Sequence, residues 1–357
     1  ANANFLGNLA YPVCVVVDVD ATTDWNNGVI GTGPYMVGKF TDQVGYDMVK
    51  NPNYWNGAVP YDNVKIAFMG DATAKANALK AGQVDLVENI FDEATANVFG
   101  LKQGTIAITV HCGSRGCGHQ IATDYLQEME RYIKKNSVDL PDRQLACAPL
   151  NSKLGDDYYK AMCCGANYAW ANRQMITHWA RESFENILGD SAENMGMDVV
   201  YDVAHNIAKK ERHDIDRHHE DVLVHRKGAT RAFAPGRSEI TMRYRDVGQP
   251  VIIPGNMKVG TYVLAGRKGS MEQTFGSTCH GAGRQMSRKA AINNLAIDDV
   301  MDQMRSNDIY LRNGSTEGVL EEAPDAYKNV DQVIEVVCNA GLTEKVAKLT
   351  PIGVIKG

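Results

Sequence analysis

The chain has 357 residues, 44% hydrophobic and 22% charged, the balance of a globular protein long enough for two or three domains. A net charge of −6, from 37 basic and 43 acidic side chains, excludes a polyanion binder that works through overall basicity and leaves room only for a local basic groove. Eight cysteines without regular spacing exclude a disulfide framework and favour thiol or metal chemistry in a reducing, cytoplasmic compartment. No apolar run nears the ~20 residues of a membrane span, and no basic–apolar–small leader opens the chain, so neither a membrane partner nor an export signal is expected.

Composition shifts near residues 84–90. The first 86 residues carry five Lys and no Arg, whereas all nine His lie at or beyond His111. In the first stretch, the apolar runs 13–17 and 64–69 predict strands, and Asp71 ahead of 72–79 predicts a capped helix that stops near Gly82. The Asn-Pro-Asn-Tyr-Trp-Asn-Gly run at 51–57 predicts turns. Beyond residue 87, strands are predicted at 106–110, 199–203, 222–224 and 251–253, and helices at 120–135, 158–188, 287–294 and 330–340. Strands interspersed with helices and glycine-bearing loops make an α+β domain. Met and aromatic residues between Tyr158 and Trp179 recur at helical spacing and predict a core-facing stripe; Cys163 and Cys164 are expected to pack there as small hydrophobes.

The first 86 residues resemble the periplasmic solute-binding proteins of peptide and nickel ABC transporters. The matching words are Gly-Thr-Gly-Pro-Tyr at 31–35, the Asn-Pro-Asn-Tyr-Trp block, and the run from Asp71 to Asp85. That family builds its ligand site between two lobes, and this stretch resembles part of one lobe. It is therefore expected to be a small α/β scaffold segment, with transport binding kept as the alternative function.

Three blocks set His beside small residues at predicted strand ends: 111–119 (His-Cys-Gly-Ser-Arg-Gly-Cys-Gly-His), 202–206 (Asp-Val-Ala-His-Asn) and 278–284 (Thr-Cys-His-Gly-Ala-Gly-Arg). A strand end holds the imidazole rigidly and glycine admits close approach, which suits metal or phosphate binding. Arg284 and Arg288, four apart, are expected on one helix face, able either to fork onto phosphate oxygens or to pair with acidic neighbours. The Pro254–Met257 loop after an apolar strand offers backbone donors to a nucleotide. His111, Cys112, Cys117 and His119 form an alternative zinc set. His213, His218 and His219 lie in a charge-rich run and are expected in a solvated turn.

From about residue 87 to 357 the chain resembles the RtcB family of GTP-dependent RNA-splicing ligases. The resemblance runs through His-Cys-Gly-Ser-Arg-Gly from His111, Tyr-Asp-Val-Ala-His-Asn-Ile from Tyr201, and His-Arg-Lys-Gly-Ala-Thr-Arg-Ala from His225. It continues through Gly-Ser-Thr-Cys-His-Gly-Ala-Gly-Arg from Gly276, Glu-Ala-Pro-Asp-Ala-Tyr-Lys-Asn-Val-Asp from Glu322, and Pro-Ile-Gly-Val-Ile-Lys-Gly at the end. It implies an RtcB-like mixed α/β catalytic domain at 87–357 behind the 1–86 segment. The implied reaction joins RNA 3′-phosphate or 2′,3′-cyclic phosphate ends to 5′-hydroxyl ends, using GTP and Mn²⁺, in tRNA splicing or RNA repair. Its implied partners are tRNA halves and an archease-type activator. His280 matches the residue that forms a covalent GMP intermediate, and His111 and His205 match Mn²⁺ ligands. Asn206, Pro254, Gly255, Asn256, Met257, Thr261, Gly281, Ala282, Gly283 and Lys356 match guanylate-pocket positions. Arg115, Arg284 and Arg288 are candidates for the RNA-end phosphates.

The family also carries an upstream block with a metal-binding Asp and Cys, and an Asn-His pair. These have no convincing counterpart in this sequence. The Val-Gly-Tyr-Asp stretch at 44–47 approaches the Asp block, but Lys50 stands where the thiolate belongs, and Cys14 with Asp18 and Asp20 has the wrong order. The expectation is a ligase-like chain, fused to a transporter-like segment, whose joining activity is impaired, with a non-catalytic GTP- or RNA-binding remnant as a second alternative.

Overall fold

The computed structural model describes residues 31–69, 72–87, 91–142, 145–216 and 218–356. The chain divides into two compact units, Ala1–Ile90 and Phe91–Gly357. The predicted strand at 13–17 and the Cys14, Asp18 and Asp20 group lie outside the described residues.

In the first unit, β1 (Tyr35–Thr41), β2 (Gly45–Lys50) and β3 (Asn63–Ala67) form an antiparallel sheet in chain order. Gly45 sits at φ +143°, where a Cβ would lie 1.9 Å from the Ile66 carbonyl oxygen; only glycine admits that approach. Lys50 pairs with Asp62 at 2.5 Å, so its ammonium serves a surface ion pair. Helix α1 (Ala72–Lys80) stands where expected and ends before Gly82, at φ +67°.

The second unit is organised around a three-stranded antiparallel sheet ordered β11 (Thr343–Leu349), β8 (Thr261–Gly266), β7 (Pro250–Pro254). Strand alternation divides its side chains between two cores. Val251, Ile253, Tyr262 and Leu264 meet Val330, Ile334 and Val337 of α9 (Val330–Asn339), three residues at the spacing of one helix face. Asn329 caps that helix by accepting from the Asp331 and Gln332 amides. On the opposite face, Val263, Ala265 and Val346 pack with Phe99, Phe233 and Tyr244; Phe99 ends helix α2 (Glu93–Phe99).

Two helices, α3 (Arg115–Asn136) and α4 (Lys153–Leu188), lie against each other, and both begin five residues before their predicted starts. A two-stranded hairpin, β4 (Asn206–Ile215) and β5 (His218–Lys227), leads into β6 (Ala229–Arg231), which pairs with β9 (Ser277–Cys279) after α5 (Lys268–Thr274). Then follow α6 (Arg288–Asn294), α7 (Ile297–Ser306), β10 (Tyr310–Asn313) and α8 (Thr316–Glu321). The chain closes with β12 (Gly353–Lys356) running parallel to β10.

Four expectations are corrected. Residues 106–110 and 199–203 have strand composition but join no ladder among the described residues. Cross-strand hydrogen bonds, not composition, define a strand. The stripe on α4 is not core: Tyr168, Met175 and Trp179 are exposed, Cys164 is exposed, and only Gly155 and Gly165 are buried along the helix. Arg284 precedes α6 instead of sharing its face with Arg288. His213 is not in a solvated turn. It is 3% exposed on β4, between the rings of Phe233 and Phe275, while His218 and His219 are exposed as expected.

The His213 ring bonds Glu211 at 3.1 Å, and Arg226 forks onto the same carboxylate at 2.7 and 2.9 Å. Burial alone would raise the Glu211 pKa, but the bonds from Arg226 and His213 more than offset it and hold the carboxyl below its ordinary value. Removing one partner strands a buried charge. Arg226→Met is therefore expected to cost about 3–5 kcal/mol in urea unfolding, and Glu211→Met with Arg226→Met to recover most of it; a single-variant loss below ~1 kcal/mol would contradict this.

Candidate functional site

Three chain segments bring the three predicted imidazoles together. His111 lies in the irregular segment ahead of α3, His205 immediately precedes β4, and His280 immediately follows β9. The His111 and His205 ring centroids lie 5.1 Å apart in an edge-on arrangement, and His205 stacks on His280 at 4.8 Å with 22° between planes. All three line a cavity of about 720 Å³ with Arg173, Asp202 and Pro254.

The surroundings keep two of these rings neutral. Burial is the main cause that lowers His205, to a pKa of about 4, with smaller contributions from the charges of His111, His280 and Arg173. His111 opens onto the cavity, yet the protein packed around it lowers its pKa as well. Lys356 and His280 add to that effect and Glu322 opposes it. A neutral imidazole keeps the lone pair that a metal or phosphorus centre needs. Arg173 is fixed by both carboxylate oxygens of Asp202, at 2.9 and 3.0 Å, and donates to the Cys112 carbonyl at 3.1 Å. Asn172 donates to the Gly113 carbonyl at 2.9 Å and to the Cys112 sulfur at 3.1 Å. Helix α4 thereby braces the loop that carries His111.

The positions matched to a guanylate pocket also converge. Pro254 and Thr261 pair across β7 and β8, and the Pro254 carbonyl accepts from Ala282 N–H at 3.1 Å. A Cβ on Gly281 would come within 3.2 Å of that carbonyl. Much of the loop's own donor capacity is spent internally. Gly255 N–H donates to Gly260, the Asn256 carboxamide oxygen accepts from Lys258 and Val259, and its nitrogen donates to the Pro324 carbonyl. Met257 is buried. Gly283, at φ +75°, accepts from Lys328 through its carbonyl.

The candidate RNA-end arginines have separate placements. Arg284 donates to the Glu321 and Met286 carbonyls and to Tyr327 Oη, and approaches Glu322 at 3.5 Å. That engagement fits the acidic-pairing alternative. Arg288 is mostly exposed and lies 3.7 Å from Glu321. Arg115 is exposed at the start of α3 with φ +53°. Lys356 stands 3.6 Å from Glu322. Burial alone would raise the Glu322 pKa; the Tyr327 hydroxyl, Lys356, Arg284 and Arg288 outweigh it and keep the carboxylate ionised. Glu322 opens the Glu-Ala-Pro-Asp motif, but only tertiary contacts bring its carboxylate beside the Arg284 and Arg288 guanidinium groups.

The zinc alternative fails. Cys117 and His119 are exposed on α3, and no group of three or more His, Cys, Asp or Glu suited to a metal occurs among the described residues. The same finding bears on Mn²⁺. Two neutral imidazoles are suitable donors, but alone they make only a loose site for an ion that takes more ligands, chiefly oxygens.

The profile of the family described as tRNA-splicing ligase RtcB matches residues 83–357, and that of bacterial extracellular solute-binding proteins, family 5 (middle part), matches residues 1–115. The tRNA-splicing ligase RtcB of Archaeoglobus fulgidus is 53% identical over 277 residues, 77% of this chain and 57% of the relative. Those of Methanococcus maripaludis and Pyrococcus abyssi are 52% and 54% identical over the same share of this chain, and 57% and 30% of their own lengths. A nickel ABC transporter structure from Bacillus halodurans aligns at 21% identity over 44% of this chain and 38% of its own, with a TM-score of 0.26, too low to bear on the fold. The second unit is therefore a mixed α/β domain of the kind that this family model describes. The chain is a member of the RtcB family, and it spans between about a third and three-fifths of the lengths of these relatives.

Because folding lowers the His205 pKa, the unfolded chain takes up that proton first. The stabilising contribution is full above about pH 6.5 and is lost as the pH falls toward 4. In an NMR titration the His205 midpoint is expected near 4, and His111→Ala is expected to raise it; a wild-type midpoint at or above 6.5 would contradict this account.

Proposed function

We propose that this chain is an RNA ligase of the RtcB type that takes GMP onto His280 and joins RNA ends poorly. The observation that carries this reading is the contact of His111, His205 and His280 on one cavity, where His280 stacks on a neutral imidazole. In the proposed reaction, His280 Nε2 attacks the α-phosphorus of GTP. An N–P bond forms, the bond to the β-phosphate oxygen breaks, and pyrophosphate leaves. GMP then moves to an RNA 3′-phosphate, as N–P gives way to P–O, and attack by a 5′-hydroxyl expels GMP. A 2′,3′-cyclic end is opened first. The substrates are tRNA halves or broken RNAs, with an archease-type activator as partner. The domain begins near residue 87.

In this reading, the pairing of β7 with β8 and the Ala282–Pro254 hydrogen bond shape the guanylate-binding wall, and Lys356 contributes its ammonium beside Glu322. Mn²⁺ is proposed to bind only loosely at His111 and His205, which is the physical reason for weak joining. No helix among the described residues is long and apolar enough to cross a membrane, and a cytoplasmic location is proposed to go with the RNA substrate. A GTP- or RNA-binding remnant is the second reading, favoured because the described residues hold no group of three or more metal-ligating side chains.

Radiolabelled GTP separates the two. A covalent adduct that is lost in His280→Gln supports the ligase chemistry, and reversible binding alone supports the remnant. With RNA ends, GTP and Mn²⁺, the purified chain is expected to yield little joined product; robust joining at sub-stoichiometric protein would overturn the impaired-ligase reading.

A further inference from the structure

Gly228 sits between the hairpin and the reactive-histidine strand, and three contacts meet on it. Its N–H donates to the His205 carbonyl at 3.0 Å and to the Asn206 carboxamide oxygen at 3.2 Å. Its own carbonyl lies 2.6 Å from His280 Nδ1. The residue adopts φ +66°, and a Cβ there would meet His280 Cε1 at 3.4 Å and Nδ1 at 3.5 Å. The positive φ favours glycine at this position, and the His280 ring packs against it at ordinary contact distance.

Hydrogen-bond chemistry fixes each atom's role. A backbone N–H only donates, so the Asn206 atom facing Gly228 is the carboxamide oxygen. A carbonyl oxygen only accepts, so His280 Nδ1 carries the proton. In a neutral imidazole the other nitrogen, Nε2, then holds the lone pair. We propose that Asn206 is a positioning residue: by holding Gly228, it places the carbonyl that fixes His280 as its Nδ1–H tautomer and reserves Nε2 for attack on phosphorus. This role is distinct from a nucleotide contact by Asn206, and it rests on the reading of His280 as the nucleotide acceptor. When Nε2 bonds to phosphorus and the pyrophosphate oxygen departs, the Nδ1 proton stays on the ring. The positive charge that develops there faces the Gly228 carbonyl dipole, so no separate base is needed for the attack.

The test is a long-range ¹H–¹⁵N correlation spectrum of the full chain with ¹⁵N-histidine and no nucleotide, with the His280 signals assigned by their loss in His280→Gln. The wild type is expected to show Nδ1 protonated and Nε2 unprotonated. Asn206→Ala is expected to shift the tautomer ratio roughly fivefold toward Nε2–H, the scale of one neutral hydrogen bond. Asn206→Asp keeps an acceptor for Gly228 N–H and is expected to retain the wild-type tautomer while losing the amide donor. Gly228→Ala strains the backbone at its positive φ and is expected to shift the carbonyl and disturb the tautomer more than Asn206→Ala does. A wild-type His280 protonated at Nε2, or an unchanged ratio in a folded Asn206→Ala, would overturn the proposal. The GMP-adduct assay reports separately: the expected tautomer without any adduct removes the ligase reading and leaves the positioning geometry standing, whereas an adduct with a tautomer indifferent to Asn206 removes the positioning role alone.

Discussion

The buried fork between Arg226 and Glu211 is the constraint on which the site depends. Arg226 lies on β5 and reaches across to the Phe275 carbonyl and to Ser277 Oγ, both at 2.9 Å. Those residues stand just ahead of His280. Glu211 lies on β4, five residues beyond Asn206. One guanidinium thus ties the hairpin bearing His205 and Asn206 to the strand bearing His280. Such a pair is costly to desolvate, and its worth is better seen in specificity of arrangement than in net stability. Here the arrangement it specifies is the stacking of two imidazoles. His213, bonded to the same carboxylate, fills the space between Phe233 and Phe275 and closes the cluster against water.

The second constraint is electrostatic. Arg173 lines the cavity with its charge partly neutralised by Asp202, and Lys356, paired with Glu322, acts on His111. Burial does most to keep His111 and His205 neutral, and these positive charges add a smaller push in the same direction. A net acidic chain therefore carries local positive charge beside the three imidazoles through a few fixed groups rather than a broad surface.

Much of this was legible in the sequence, for identifiable reasons. The three His-bearing blocks were readable because each couples an imidazole to glycine or Asn beside an apolar run, and the structure brings their rings into contact. Helices α6 and α9 stand within a residue of their predicted positions, and their caps, Ser287 and Asn329, accept from the first-turn amides. The strand expectation at 106–110 and 199–203 failed because residue preference carries no information on whether a neighbouring backbone is there to pair. The face of α4 was misread because Met and aromatic spacing marks an apolar stripe, not the presence of a covering layer; Trp179 is 55% exposed. Gly228 went unnoticed because its importance lies in a positive φ and a carbonyl direction, neither of which has a side-chain signature.

The account's central claim is that three imidazoles from distant parts of the chain face one another as a unit. Cross-relaxation between ring protons in the full chain, with labelled histidine, measures this most directly. The account predicts contacts from the His205 ring to both His280 and His111, and their weakening in Arg226→Met. A His205 ring that shows neither contact in the folded wild-type protein would contradict it.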